Sequence, residues 1–144
     1  MPAKASAEWH GDIRSGAGSF AAGDSISGGV TNRSRFEGGP GSNPEQLLGA
    51  AHASCFSMEL ASYLDKFGTP AQRILTNAEV TVRLVKGTPT ITKIDLFTVG
   101  TVPGLDKVSF EEHAVKAKAN CPVGRALSGV LEVTLEAILE PPEP

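Results

Sequence analysis

The stretch from Asn43 to Phe67 constrains this chain more than any other. Asn43-Pro44-Glu45-Gln46 reads as a helix start. Asn43 suits the N-cap, Pro44 the first helical position, and Gln46 can reach back as in a capping box. Glu45 falls in the first turn, where the helix dipole favours an anion. Gly68 is a natural C-cap. Between these signals, apolar residues from Leu47 through Cys55 and Phe56 to Leu64 cover most of the circumference. A helix of that kind is expected to be buried nearly all round. In a chain of 144 residues it needs more cover than one sheet supplies. The expectation is therefore a homodimer with these helices at its core.

The remaining segments read as short elements around that helix. Trp9, Ile13, Phe20, Ile26 and Val30 are spaced between turn signals and suggest loose antiparallel hairpins. Asn32 to Glu37 reads as a short extended piece running into Gly38-Gly39-Pro40-Gly41. Glu79 to Val85 alternates as a strand, Lys86-Gly87-Thr88-Pro89 turns the chain, and Ile91 to Val99 returns as a hairpin partner. Ser109-Phe110-Glu111-Glu112 reads as a capping box opening a helix to about Ala119. Cys121-Pro122 restarts a short helical segment to about Ser128. Val130 to Leu139 is a last strand, with Leu131, Val133, Leu135, Ala137 and Leu139 facing inward. No repeat or linker divides the chain. The expected class is α+β: one domain over 1–144, central buried helices wrapped by antiparallel sheets, an ordered core from about 8 to 139, and a frayed Pro-rich tail at 140–144.

Composition narrows the partners. Net charge is −3, and Lys and Arg are scattered, which argues against nucleic acid. No window approaches the apolar length of a membrane span. Met1 to Ile13 has no apolar h-region, so no signal peptide is expected and the expected compartment is the cytoplasm. There, two cysteines are reactive or simply buried rather than a structural staple.

Those two cysteines are the groups most suited to chemistry. Cys55 lies mid-helix, where a thiol is either packing or reactive. Glu45 stands about three turns earlier on nearly the same face, roughly 15 Å away along the axis. A long arginine from another segment could bridge part of that gap. Cys121 sits at the N-cap opened by Pro122, facing unpaired N–H groups that lower a thiol pKa. It is either an activated thiol or a mediocre cap in a tight turn. His52, one turn before Cys55, either modulates that thiol or fills a half-buried position. His10, His52 and His113 show no ligand spacing, so no metal is expected. Gly-x-Gly pairs near Gly16 and Gly39 lack the strand-to-helix setting of a phosphate loop, and no Ser sits in a nucleophile elbow.

Three stretches together resemble one family. They are Asn32-Arg33-Ser34-Arg35-Phe36-Glu37-Gly38, the run from Gly41-Ser42-Asn43-Pro44-Glu45 through Ala51-His52-Ala53-Ser54-Cys55-Phe56-Ser57-Met58, and Ala117-Lys118-Ala119-Asn120-Cys121-Pro122-Val123. The chain resembles the OsmC/Ohr hydroperoxide reductases from about Glu8 to Leu139. "RFEG" and "AAHA" point to the osmotically inducible protein C branch. The resemblance implies an intertwined α+β homodimer with active sites at the subunit interface. It assigns Cys55 as the peroxidatic cysteine and Cys121 as the resolving one. Arg35 matches the arginine that activates the thiolate, and Glu45 the glutamate that holds that arginine. Here local reasoning and resemblance part, since the N-cap argument favours Cys121 as the activated thiol.

The implied reaction takes a hydroperoxide as substrate and an external dithiol as reductant, and needs no bound cofactor. The glycines after Arg35 suggest a loop that swings it toward Cys55. Two rival readings share the fold: a module binding an apolar ligand, and a stress protein with a redox-sensitive disulfide.

Overall fold

A computed structural model describes residues 1–142. Two compact units are distinguished, residues 1–47 and Leu48 onward. In the first, β1 (Ala5–His10), β2 (Ala17–Ala22) and β3 (Ile26–Val30) form an antiparallel meander in that order. The first hairpin turns at Gly11-Asp12 as expected, but the second turns at Gly23, and Gly28-Gly29, a turn signal in the sequence, lies inside β3; β1 begins a few residues before the expected start of order.

The next element departs from the expectation. Asn32 to Phe36 is a helical turn, α1, not an extended piece. Thr31 caps it: its hydroxyl accepts from Ser34 N at 2.9 Å, and Thr31 N donates to Ser34 Oγ at 2.9 Å. That reciprocal box satisfies two orphan donors of the first turn. Buried Ser34 also donates to the Ser42 carbonyl at 2.7 Å, closing the Gly-rich loop onto α1. Gly38 and Gly41 have φ of +68° and +112°, a region open to glycine. The long helix, α2 (Pro44–Lys66), starts as expected, with Asn43 Oδ1 accepting from Gln46 N at 2.8 Å.

In the second unit, β4 (Arg73–Val85) and β5 (Thr88–Thr101) make a long hairpin through Lys86-Gly87, both at positive φ. That is the geometry two-residue hairpin turns favour. Both strands extend beyond their expected limits. After β5 come α3 (Lys107–Asn120), α4 (Pro122–Ala126) and β6 (Glu132–Glu140). β6 pairs with β5 in parallel, so the sheet is mixed rather than antiparallel. A strand that returns through helices, not a tight turn, can enter parallel. α3 starts earlier than expected because Asp106, not Ser109, is the cap; Asp106 Oδ1 accepts from Ser109 N at 2.8 Å. Leu131, expected to face inward, lies before β6 and is 95% exposed. The expected tail begins late, since Glu140 is still in β6; residues 143 and 144 lie outside those described.

The core of this unit is one cluster. Phe56, Leu60 and Leu64 of α2 pack with Ile94 and Leu96 of β5 and with Phe110, Ala114 and Ala117 of α3, and Cys121 closes the group. Fully burying a Phe or Leu side chain contributes about 1.5–3 kcal/mol each. Gly100 gives Phe110 its place: a Cβ there would stand 2.4 Å from the ring. Three hydroxyls between α2 and the sheet are paired. Ser57 Oγ donates to Thr76 Oγ1 at 2.7 Å, which lies 3.0 Å from Thr98 Oγ1, and Thr98 donates to the Leu75 carbonyl at 3.3 Å. The expectation of a helix buried all round is met on one stripe only: His52, Phe56, Leu60 and Leu64. Ala50, Ala51, Ser54 and Met58 remain exposed, Met58 at 74%. Within a single chain the sheet and α3 give the helix one apolar surface to bury against.

Candidate active site

The four residues singled out in the sequence form two pairs. The first belongs to the N-terminal unit. Arg35 occupies the last turn of α1 and Glu45 the first turn of α2. Arg35 Nη2 donates to Glu45 Oε1 at 2.7 Å, and Nε donates to Oε1 at 3.1 Å and Oε2 at 3.3 Å. Two guanidinium nitrogens thus converge largely on one carboxylate oxygen. The Glu45 side chain is 10% exposed, so its charge is held out of water and neutralised by this contact. Arg35 also lies over the Phe36 ring, 5.2 Å from its centroid. Its own side chain remains 40% exposed, leaving part of the guanidinium open to another acceptor. Arg35 therefore sits on a capped helical turn rather than within the Gly-rich loop.

The second pair lies in the larger unit. Cys55 is half-buried on α2 and packs against the core cluster, in which Cys121 is fully buried. Both thiols are free. Cys121 caps α4, its sulfur accepting from Gly124 N at 3.5 Å, as the Cys-Pro start suggested. The electrostatic outcome is opposite to the expectation. Burial pushes the Cys121 thiol up from its ordinary value, and hydrogen bonding and charge from the neighbouring Cys55 add to the rise. The N–H groups of Gly124 and Val123 pull the other way and lose. A five-residue helix supplies a weak dipole, whereas a sulfur with no solvent exposure loses its hydration outright.

His52 lies beside this pair and is 1% exposed. Burial first, and the charge of Lys118 second, hold its pKa below the ordinary histidine value. The sequence left its role open, and Gly124, which makes room for it, went unnoticed. A Cβ at Gly124 would stand 3.2 Å from His52 Nε2. Thr31 and Ser34 were also missed, although their three-residue spacing is itself a capping signal. Among the described residues no group of three or more His, Cys, Asp or Glu could hold a metal ion, and no helix is long and apolar enough to cross a membrane.

Comparison with known proteins places these residues in a wider setting. The family model for OsmC-like protein matches residues 37–136. The chain is 42% identical over 139 residues to Peroxiredoxin OsmC of Escherichia coli (strain K12), covering 92% of this chain and 93% of that protein. It is 31% identical over 100 residues to the Organic hydroperoxide resistance protein of Xanthomonas axonopodis pv. citri (strain 306), covering 68% of each. Among solved structures, an OsmC-like protein of unknown function from Vibrio cholerae superposes with a TM-score of 0.75 at 18% identity, covering 96% of this chain and 99% of that one. An organic hydroperoxide resistance protein of Bacillus subtilis gives 0.70 at 22% identity, covering 97% and 98%. At these identities the structures speak to the fold, which is theirs.

The unequal burial of the thiols has a direct readout. In the reduced protein iodoacetamide should modify Cys55 at least about tenfold faster than Cys121, because alkylation requires an accessible thiolate. Peptide mass spectrometry over a time course measures both rates. Faster labelling of Cys121 would mean that its burial and raised pKa do not govern its reactivity.

Proposed function

This chain belongs to the OsmC-like protein family, and from that premise we propose that it is a thiol peroxidase reducing organic hydroperoxides and hydrogen peroxide in defence against oxidative and osmotic stress. The observation that carries the reading is the meeting of two free thiols from distant parts of the sequence. One is half-buried on α2; the other closes the core from α4. The relatives named as a peroxiredoxin and an organic hydroperoxide resistance protein support it.

In the proposed cycle the Cys55 thiolate attacks the distal oxygen of the hydroperoxide. An S–O bond forms, the O–O bond breaks, and the alkoxide leaves with a proton as alcohol. Cys55 is then a sulfenic acid. The Cys121 sulfur displaces its hydroxyl, giving a Cys55–Cys121 disulfide and water. An external dithiol returns both thiols by exchange. Sulfur supplies the electrons, so this cycle uses no bound cofactor. Arg35 serves the first step by donating to oxygen as negative charge develops, and Glu45 fixes the guanidinium beforehand. The match to the Escherichia coli relative covers 92% of this chain and so spans both compact units, which supports treating the chain as one functional domain. A thiol cycle of this kind suits the reducing cytoplasm.

The thiol roles are separable. Cys55→Ser should abolish peroxide consumption. Cys121→Ser should consume about one equivalent per subunit and then stall or over-oxidise. Intact-mass spectrometry after one equivalent of peroxide reads both. A sulfenic acid formed in Cys55→Ser but not in Cys121→Ser would reverse the assignments.

The Arg35–Glu45 contact predicts coupled kinetics. Arg35→Met should slow peroxide attack about 100- to 1000-fold, the usual loss for one such donor. Glu45→Gln should cost less, and the double variant little more than Arg35→Met alone. Stopped-flow rates for the four proteins test this; fully additive losses would remove the anchoring role of Glu45.

We also propose that the protein is a homodimer built on α2. The exposed Ala50, Ala51 and Met58 of that helix support this, as do Trp9 and Ile26 on the first sheet. Light scattering at low micromolar concentration should give twice the chain mass. A clean monomer there would leave the apolar face of α2 unexplained and the dimer disproved.

A further inference from the structure

The cycle above leaves one buried group without a task. His52 is 1% exposed, and neither Nδ1 nor Nε2 has a hydrogen-bond partner among the described residues. Leaving a buried polar group unsatisfied costs about 1–3 kcal/mol, so such groups call for an explanation. The place of this imidazole suggests one. Its Nε2 borders the turn that Cys121 caps. The point where a Gly124 Cβ would stand is 3.2 Å from His52 Nε2, 3.4 Å from the Lys118 carbonyl and 3.7 Å from Cys121 Cβ. A side chain there would crowd the imidazole and force its neighbours to give by a few tenths of an ångström. On its own helix His52 lies one turn from Cys55. The charge bearing on it is Lys118 of α3, while Cys121 lies across the Gly124 gap and Cys55 one turn along α2. It is thus an unpartnered base beside the turn that Cys121 caps and one helical turn from Cys55.

The resolving step has an unmet need that matches. Cys121 must lose a proton to become a nucleophile, yet burial and the nearby Cys55 favour its protonated form. The hydroxide leaving Cys55 must gain a proton. Resting on the peroxidase reading, we propose that His52 is the proton carrier of disulfide formation. It takes the Cys121 proton, directly or through one water, as the Cys121 sulfur attacks the Cys55 sulfenic acid. It returns that proton to the departing hydroxide. The Cys121 S–H and Cys55 S–O bonds break, the S–S and O–H bonds form, and the products are the disulfide and one water. Burial and Lys118 keep the imidazole neutral, the form able to accept a proton.

Rapid-quench mass spectrometry after one equivalent of hydrogen peroxide separates the two steps. In His52→Gln, sulfenic acid should form as in wild type, while disulfide formation should slow about 100-fold, the lower range for a positioned acid–base group. The pH profile distinguishes this from a packing role. As pH falls, wild-type resolution should decline when the imidazole protonates, below the ordinary histidine value. The variant should lack that inflection and gain rate only as Cys121 ionises at high pH. Resolution in His52→Gln at wild-type rate, or with the wild-type profile, overturns the proposal. Should that variant fail to fold, the wild type decides alone: a resolving rate flat between about pH 4 and 7 overturns it. Sulfenic acid without disulfide in wild type overturns it as well. Absence of sulfenic acid in wild type overturns instead the peroxidase reading on which it rests.

Discussion

The packing of one helical stripe holds the two cysteines of this protein in one place. His52, Phe56, Leu60 and Leu64 recur every fourth residue along α2, and the three apolar members join β5 and α3 in a single cluster. Cys121 belongs to that cluster and Cys55 packs on it. The two sulfurs therefore need no local motif to hold them together. A fault in the core would be felt at the thiols first as lost geometry, before any change in their intrinsic chemistry.

The same packing decides the electrostatics. At Cys121 a helix start and a desolvated site act in opposite directions on one sulfur, and desolvation prevails. At the Arg35–Glu45 pair a buried carboxylate is retained because a guanidinium neutralises it with three contacts of 2.7–3.3 Å. Burial is thus set against a compensating charge in one place and left uncompensated in the other.

How much of this was legible from residues alone follows the range of each interaction. The start of α2, the Lys86-Gly87 turn and the Cys121 cap depend on neighbours a few residues apart, and all were readable. α1 was readable in principle from Thr31 and Ser34, but its Arg-Phe-Glu sequence beside a glycine run reads as extended chain. The parallel entry of β6 was not readable, because alternation along a strand is the same for either direction. Nor was the raised Cys121 pKa, which arises from burial in a cluster whose α2 and β5 members lie far away in sequence. The exposed face of α2 could be seen as apolar, but not which side the sheet would cover. The resemblance implied residue roles that local signals could not, and at Cys121 the structure raises the thiol pKa where the N-cap argument lowered it.

The difference in depth between the two sulfurs also gives any bond between them a direction. Cys55 is half-buried and Cys121 is sealed into the core, so a disulfide joining them would present one sulfur to an incoming thiolate and hide the other. Exchange proceeds in line, from attacker through the struck sulfur to the one that leaves. Electrons would then enter at Cys55, and Cys121 would be released as a thiol inside the core, out of reach of the incoming reductant.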